Sequence, residues 1–257
     1  MYIDVHAHMD DKAFEGVLPA VLDRARAAGV KAILSNGTNQ ASNEAVRSLC
    51  EQYAIIRPVY GLYPTDPYDA AADHAALEWI REQALHGAYP PVAIGEIGLD
   101  GMQPVTDEQL IRFRAACKLA AELRLPIIVH TRKAEAEVFA ELEQMRHPTP
   151  VILHCFGGSK KLLMEGIARK YTFSVPAIIS RSSQFQMLAQ LVPLSQLLTE
   201  TDAPYLSAEK DVWPNEPASV VQTLARIATE KKITPEECTQ MLFMNYQRLF
   251  LGAKRAH

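Results

Sequence analysis

Two histidines separated by a single residue, His6 and His8, are the first side chains in this chain whose type and spacing suggest chemistry. They end the apolar run 3–8, which is short enough to be one β-strand. Residues two apart on a strand share a face, so both imidazoles are expected to point the same way. Two neutral imidazoles that converge on one point provide half of a divalent-metal site.

Four more ligand-type residues each stand at or just after the end of another apolar, strand-like run: Glu96, His130, His154 and Asp202. Four imidazoles and two carboxylates exceed the needs of one tetrahedral zinc but suffice for two ions that share a bridging ligand. We predict that His6, His8 and Asp202 hold one ion and that His130 and His154 hold the other. Glu96 is the predicted bridge, because a carboxylate offers two oxygens.

The elements that must position these residues alternate regularly along the chain. Eight short apolar runs predict strands, at 2–8, 31–37, 56–62, 92–97, 126–130, 150–155, 171–178 and 196–201. Amphipathic segments between them predict helices, including 18–28, 42–53, 75–86, 107–124, 134–146 and 160–170, and two more follow at 217–231 and 235–250. Eight such units predict an α/β fold of the (β/α)8 TIM-barrel type, as one domain over 1–257. The alternative is an open, doubly wound sheet.

Local signals mark some helix ends. The segments 106–109 and 234–237 both have the capping-box pattern, and Gly29 is expected to end the first helix. In a barrel of this kind the active site lies at the C-terminal ends of the strands. All six ligand candidates are predicted to lie there.

Composition narrows the class of protein. The chain is 48% hydrophobic and 22% charged, which is typical of a globular domain. A net charge of −4, with no run of basic residues longer than two, argues against a broad surface for duplex nucleic acid. We see neither an apolar stretch of the roughly 18 residues that a membrane span needs nor a signal peptide. The four cysteines lack C-x-x-C spacing, so reduced thiols and a cytoplasmic location are expected.

Each candidate also has a structural interpretation. A single histidine is more often a hydrogen-bonded core residue than a ligand, and only the coincidence of four at strand ends favours metal binding. Asp202 is either a helix cap or a ligand that also serves as general base, and we prefer the second. Glu96 is either the bridge or a buried acid paired with arginine.

Residues around the predicted metal site are candidates for substrate contact. Arg132, two residues after His130, either binds a substrate phosphate in bidentate fashion or forms an ion pair at the barrel rim. Gly158 and Ser159 either offer backbone N–H groups to an anion or simply form a tight turn. Glu200, two residues before Asp202, is predicted to orient a ligand or to pair with a basic group.

Several sequence motifs, which occur in the same order as in a known family, give the chain its resemblance to that family. It resembles the TatD family of metal-dependent hydrolases, in the amidohydrolase-like superfamily, through segments 3–8, 95–100, 126–132, 154–159, 200–206 and, more weakly, 245–250. The resemblance covers essentially the whole chain. It implies a TIM-type barrel with a pair of divalent metals. The activities it implies are deoxyribonuclease-type phosphodiester hydrolysis, often from a 3′ end, and in some members removal of D-amino acids from tRNA.

The chain departs from the family pattern at one place that bears on substrate. Family members commonly carry Gly-x-His-Pro after the third strand, whereas this chain has Tyr63 at the histidine position of Gly61-Leu62-Tyr63-Pro64. A phenol can donate a hydrogen bond, but with a pKa near 10 it cannot shuttle protons at neutral pH. We therefore predict that Tyr63 contacts the substrate but does not transfer protons as the family histidine could. The stretch 101–104 also lacks the aromatic pair often found there.

These observations predict a hydrolase that uses metal-held hydroxide, with Asp202 and Glu96 as the catalytic carboxylates. Zn²⁺ or Mn²⁺ suits the imidazole-rich set best, with Mg²⁺ also possible. The preferred substrate is a phosphodiester at an end of single-stranded DNA or RNA. The alternatives are an ester or amide, as in a D-aminoacyl-tRNA deacylase or a lactonase-like enzyme, another small phosphodiester, and, more remotely, metal binding without catalysis. No membrane partner is expected, and the oligomeric state is left open.

Overall fold

A computed structural model describes residues 1–252 of the chain. These residues form one sheet of eight parallel strands that pair in sequence order, and a helix follows each strand. The strands are β1 (Tyr2–Ala7), β2 (Val30–Asn36), β3 (Ile56–Tyr60), β4 (Ala93–Gly98), β5 (Ile127–His130), β6 (Val151–Leu153), β7 (Thr172–Val175) and β8 (Leu197–Thr199).

Nine α-helices within residues 1–252 form the outer layer. They are α1 (Leu18–Ala27), α2 (Gln40–Gln52), α3 (Ala70–His86), α4 (Asp107–Leu123), α5 (Glu135–Gln144), α6 (Lys160–Ala168), α7 (Ser183–Leu191), α8 (Val220–Lys231) and α9 (Pro235–Tyr246). Over the described residues, no helix combines the length and apolar character needed to cross a membrane.

The first and last strands meet, so the sheet closes into a barrel. Ala7 bridges Ala203 in parallel, and the Asp202 N–H donates to the carbonyl of His6 at 2.9 Å. Below this bridge the carboxylate of Asp4 accepts the backbone N–H of Thr201 at 3.0 Å and also its hydroxyl. Burial raises the pKa of Asp4 to about 8, although the hydrogen bonds from Thr201 oppose the shift. The predicted (β/α)8 barrel is confirmed, and the open sheet is excluded.

Apolar side chains lie in two layers. The larger cluster lies between the strands and the helices and includes Ile33, Ile97, Val129 and Phe173. The smaller one joins side chains from seven of the strands, such as Ile3, Val59, Ile128 and Leu198, with Tyr246, Leu249 and Phe250 near the end of the described chain. Inward-facing residues thus fill the barrel, as in other TIM barrels. The segment after α9 packs against these inward-facing residues at one end of the barrel. The other end of the barrel stays open.

Several sequence expectations needed correction. The run predicted as strand 171–178 ends at Val175, because Pro176 leads into a 3-10 turn. Helix α7 was absent from the predicted set. At the start of α4, Thr106 accepts from the Gln109 N–H, but the Gln109 side chain does not complete a capping box. It bonds instead to the backbone N–H and carbonyl of Asp100, at 2.9 and 3.2 Å. The box at 234–237 is confirmed, with Thr234 and Glu237 capping each other.

Asn245 gives the weak C-terminal motif a physical role. Its side chain is 3% exposed and donates to the carbonyls of Leu194 and Leu197, at 2.8 and 2.9 Å. We expect Asn245→Ala to lower the free energy of unfolding by about 2–3 kcal/mol, because two carbonyls lose their donor. A thermal melt should show a fall of roughly 4–10 °C for a protein of this size.

Arg248→Ala is the matched control, since Arg248 donates to Ser195 from an exposed position on the same segment. Its melting temperature should stay close to that of the parent. Equal shifts in the two variants would show that the amide of Asn245 has no special structural role.

Candidate metal centre

All six predicted ligands lie at the C-terminal face of the barrel, because each stands within two residues of a strand end or just beyond it. His6 and Glu96 lie within β1 and β4, and His130 is the last residue of β5. His154 directly follows β6, His8 directly follows β1, and Asp202 lies three residues after β8. Their convergence at one end follows from the parallel strand order.

A glycine allows β4 and β5 to approach closely at this level. Gly98 has φ +147°, and a Cβ there would lie 2.0 Å from the carbonyl oxygen of His130. Only glycine fits this backbone conformation and this contact. Glu96, two residues earlier, can therefore lie beside the His130 ring.

One group of donor atoms surrounds His6. Its Nε2 lies 3.2 Å from Nε2 of His8, 3.4 Å from Oε2 of Glu96 and 3.6 Å from Oδ1 of Asp202. His8 Nε2 is 3.5 Å from each of the same two carboxylate oxygens. Bonds of about 2.0–2.1 Å in a tetrahedral zinc site put neighbouring ligand atoms about 3.3 Å apart. The spacing observed here fits such an ion.

The second oxygen of Glu96 faces the other predicted group. Glu96 Oε1 lies 2.8 Å from Nδ1 of His130 and 4.0 Å from Nε2 of His154. His154 Nε2 is also 3.9 Å from Oδ1 of Asp202. Each oxygen of Glu96 thus faces a different pair of histidines, which is the arrangement expected of a bridging carboxylate.

Acceptors outside the cluster orient three of the imidazoles. His8 Nδ1 lies 3.0 Å from the Asn36 carbonyl, His130 Nε2 lies 2.9 Å from Asp100, and His154 Nδ1 lies 2.9 Å from Glu200. A ring nitrogen facing an acceptor carries the proton, so the other nitrogen presents its lone pair to the cluster. This is the tautomer in which a histidine binds metal.

His6 completes the fit. It is fully buried, and its Nδ1 has no hydrogen-bond partner among the described residues. Its Nε2 and that of His8 face each other with carboxylate oxygens on either side. Lone pairs and negative charges gathered in a buried site require a cation between them. The nitrogen and oxygen donors present therefore fit divalent metal.

Electrostatics support the same interpretation. Burial alone would raise the pKa of Glu96, yet His6 and His130 hold it well below its usual range. The pKa of Asp202 is lowered against burial by the charge of His154 and the hydrogen bond from His8. Conversely, burial would lower the pKa values of His8 and His154, but the surrounding carboxylates raise them to about 9 and about 10. The site is built to hold positive charge.

The cluster forms the floor of a cleft of about 680 Å³. Its lining combines the predicted ligands His8, Glu96, His130, His154 and Asp202 with a polar wall that includes Asp10, Asp11, Thr38, Ser42, Tyr63, Asp66, Arg132, Lys133, Glu135, Gly157 and Tyr205. This volume is within the range of small-molecule sites.

The residues predicted to lie around the metal site do not all line the cleft. Arg132 and Tyr63 line the cleft, and no ion pair forms at the Arg132 guanidinium within residues 1–252. Glu200 is fully buried and orients His154, as described above, while also accepting the Cys155 N–H. Gly158 and Ser159 lie outside the lining. Ser159 caps α6 by accepting the N–H of Leu162, which matches the turn interpretation.

Sequence reasoning missed the role of Asp100. This residue stands in the motif 95–100 and is 4% exposed, and it holds His130 as Glu200 holds His154. Its neighbour in space, Gln109, fixes the backbone of the same loop from α4. The sequence does show an aspartate two residues after Gly98, but the histidine partner of this aspartate could not be identified without the fold.

Comparisons with known proteins agree with the geometry. Residues 3–251 match the family model described as TatD related DNase. An uncharacterized metal-dependent hydrolase, YabD, of Bacillus subtilis is 31% identical, over 97% of this chain and 99% of its own. The 3′-5′ ssDNA/RNA exonuclease TatD of Citrobacter koseri is also 31% identical, over 96% and 98%. The crystal structure of YJJV, a TatD homologue from Escherichia coli, superposes with a TM-score of 0.87 at 28% identity, covering 97% of this chain and 98% of that one.

Proposed function

The chain belongs to the TatD family of metal-dependent hydrolases, and we propose that it removes nucleotides from the 3′ end of single-stranded DNA or RNA. The observation that carries this proposal is the bridging position of Glu96 between two groups of histidines at the floor of a short cleft. A relative of similar length is named for the same activity. We also propose a cytoplasmic location, in keeping with four unpaired cysteines.

The residues fit two ions. His6, His8 and Asp202 would hold one, His130 and His154 the other, and Glu96 would lie between them. Zn²⁺ or Mn²⁺ suits this donor set best, and Mg²⁺ is a weaker candidate. Bound there, such a pair would polarise a phosphoryl oxygen and make water acidic enough to supply hydroxide at neutral pH.

Side chains around the metal positions have three further roles: proton transfer, phosphate binding and orientation of the ligands. Asp202 accepts the proton of the attacking water. Arg132 extends from the end of β5 into the cleft and binds a non-bridging phosphate oxygen. Asp100 and Glu200 keep His130 and His154 in the tautomers that the site requires.

The test is hydrolysis of a 5′-labelled single-stranded oligonucleotide by metal-reconstituted protein. The proposal expects a ladder that shortens from the 3′ end. An otherwise identical oligonucleotide with phosphorothioate linkages at its 3′ end is the matched control and should resist cleavage. Absence of any cleavage with metals loaded would refute the proposal.

Tyr63 should act through its hydroxyl group as a hydrogen-bond donor. Its ring lies 5.1 Å from that of His130, and burial, together with the charges of Glu96 and Asp100, raises its pKa above the ordinary value. The phenol therefore stays protonated. We expect Tyr63→Phe to lower kcat/KM about 10- to 100-fold, because a hydrogen bond to a charged group contributes about 1.5–3 kcal/mol.

Tyr63→His supplies the matched comparison. An imidazole titrates near pH 6.5, so this variant should gain a dependence of activity on pH between about 6 and 7 that the parent lacks at this position. If Tyr63→Phe retained full kcat/KM, the hydroxyl would have no contact with the substrate.

A further inference from the structure

An exposed aromatic pair lies at the edge of the cleft, in the loop between β8 and α8. Tyr205 and Trp213 are 46% and 62% exposed, and Trp213 is the most exposed large apolar side chain of the described residues. Their ring centroids are 5.6 Å apart with the planes tilted by 53°. Two large aromatic faces left in water beside a catalytic site suggest a ligand surface.

Tyr205 links this pair to the metal centre. It lines the cleft, and its ring lies 6.2 Å from that of His8. Its N–H donates to the carbonyl of Asp202 at 2.7 Å, and its hydroxyl donates to Asp11 at 3.0 Å. The aromatic surface therefore begins directly beside the proposed general base and extends outward to Trp213.

The loop that carries the pair is held in place. Asn215 is 2% exposed, and its amide donates to the carbonyls of Thr201 and Tyr205, both at 2.8 Å. On the far side of the loop the Ser180 hydroxyl donates to the carbonyl of Ala208 at 2.9 Å. A surface fixed in this way loses little conformational entropy when a flat ligand stacks on it.

We propose that Tyr205 and Trp213 form a stacking platform for the base of a nucleotide that flanks the scissile phosphate. This inference rests on the proposed phosphodiesterase activity and identifies the residues that bind a base of the nucleic-acid substrate. Base–aromatic stacking contributes affinity without regard to sequence, because every base has a π-face.

Charge favours a base over further phosphates as the group that binds here. The hydroxyl of Tyr205 is bonded to the carboxylate of Asp11, and Asp10 also lines the cleft. The whole chain carries a net charge of −4. Additional phosphate groups would be repelled beside Asp10 and Asp11, whereas a neutral base would not.

Fluorescence provides a test that does not depend on turnover. The chain has two tryptophans, and Trp79 packs against Tyr60 with ring centroids 5.1 Å apart. In a Trp79→Phe background, metal-loaded protein reports from Trp213 alone. Thymidine 5′-monophosphate should quench this emission, and deoxyribose 5-phosphate should not. Equal responses to the two ligands, or a signal that changes with protein concentration but not with nucleotide, would overturn the proposal.

Kinetics provide the second test. Trp213→Ala should raise KM about five- to tenfold for an oligonucleotide with normal bases. The effect should disappear when a tetrahydrofuran residue replaces one of the two nucleotides that flank the cleaved bond. Trp213→Phe should keep most of the affinity. Val212→Ala is the matched control, because Val212 is 46% exposed in the same loop but its side chain has no π-face.

The outcomes separate this proposal from the one on which it rests. If the parent cleaves none of the oligonucleotides with metals loaded, the phosphodiesterase assignment fails, and the fluorescence titration still decides whether bases stack on Trp213. If the parent cleaves them and Trp213→Ala changes KM equally for normal and base-free substrates, only the stacking platform is refuted.

Discussion

Replacing Asp202 by asparagine is expected to slow phosphodiester hydrolysis by about 10²- to 10⁴-fold in kcat, the range typical of a lost general base. Asp202 Oδ1 lies 3.5–3.9 Å from the Nε2 atoms of three histidines, so we predict that Asp202 is both a metal ligand and the general base. Its lowered pKa means that the native group is ionised and ready to accept a proton. The asparagine amide keeps a carbonyl oxygen for coordination but cannot take that proton.

The control is Asp66→Asn, which removes a carboxylate that lines the same cleft but accepts a hydrogen bond from Asn39 instead of from a histidine. Rates and metal content should be measured on the same samples. A slow Asp202→Asn enzyme with unchanged metal content would identify proton transfer as the lost step. Near-parental kcat would exclude Asp202 as the base.

Much of this site could be predicted because its signals are local. A short apolar run indicates a strand, and the parallel order then places every strand end on one face of the barrel. His130 and His154 follow from this rule without any knowledge of their contacts. Glu200 was also predictable, since two residues before Asp202 is a position from which a carboxylate can support the site.

Other parts depend on contacts between distant segments. Asp100 meets His130 only because Gly98 lets β4 and β5 approach closely, and because Gln109 fixes the loop from α4. No local pattern reveals either partner. Tyr205 and Trp213 lie close together in an irregular loop whose later residue Asn215 bonds back to the carbonyls of Thr201 and Tyr205.

Helix α7 illustrates a different limit. Its buried residues Phe185, Leu188 and Ala189 have helical spacing, but the helix spans only nine residues and starts in a run of serine and glutamine. Short amphipathic helices gain most of their stability from packing. The pattern in this segment was therefore too weak to predict the helix from sequence.

Replacing Glu96 by alanine is expected to have the largest effect on metal content. Glu96 is 2% exposed, and each of its oxygens faces one of the two predicted ion positions. Removing it leaves both groups of histidines without their shared anionic ligand and leaves the mutual repulsion of two cations uncompensated. Elemental analysis of reconstituted protein should show about two ions per chain in the parent and fewer than one in Glu96→Ala, with activity lost in parallel.

His130→Ala and Glu135→Ala make this result interpretable. His130 belongs to one predicted position only, so its loss should leave about one ion, held by His6, His8 and Asp202. Glu135 lines the cleft as a carboxylate outside the cluster, so its variant should keep both. Because a bridging ligand serves two ions and a terminal ligand serves one, metal content must fall in the order Glu135→Ala, His130→Ala, Glu96→Ala. Equal losses in His130→Ala and Glu96→Ala would show that Glu96 serves a single ion.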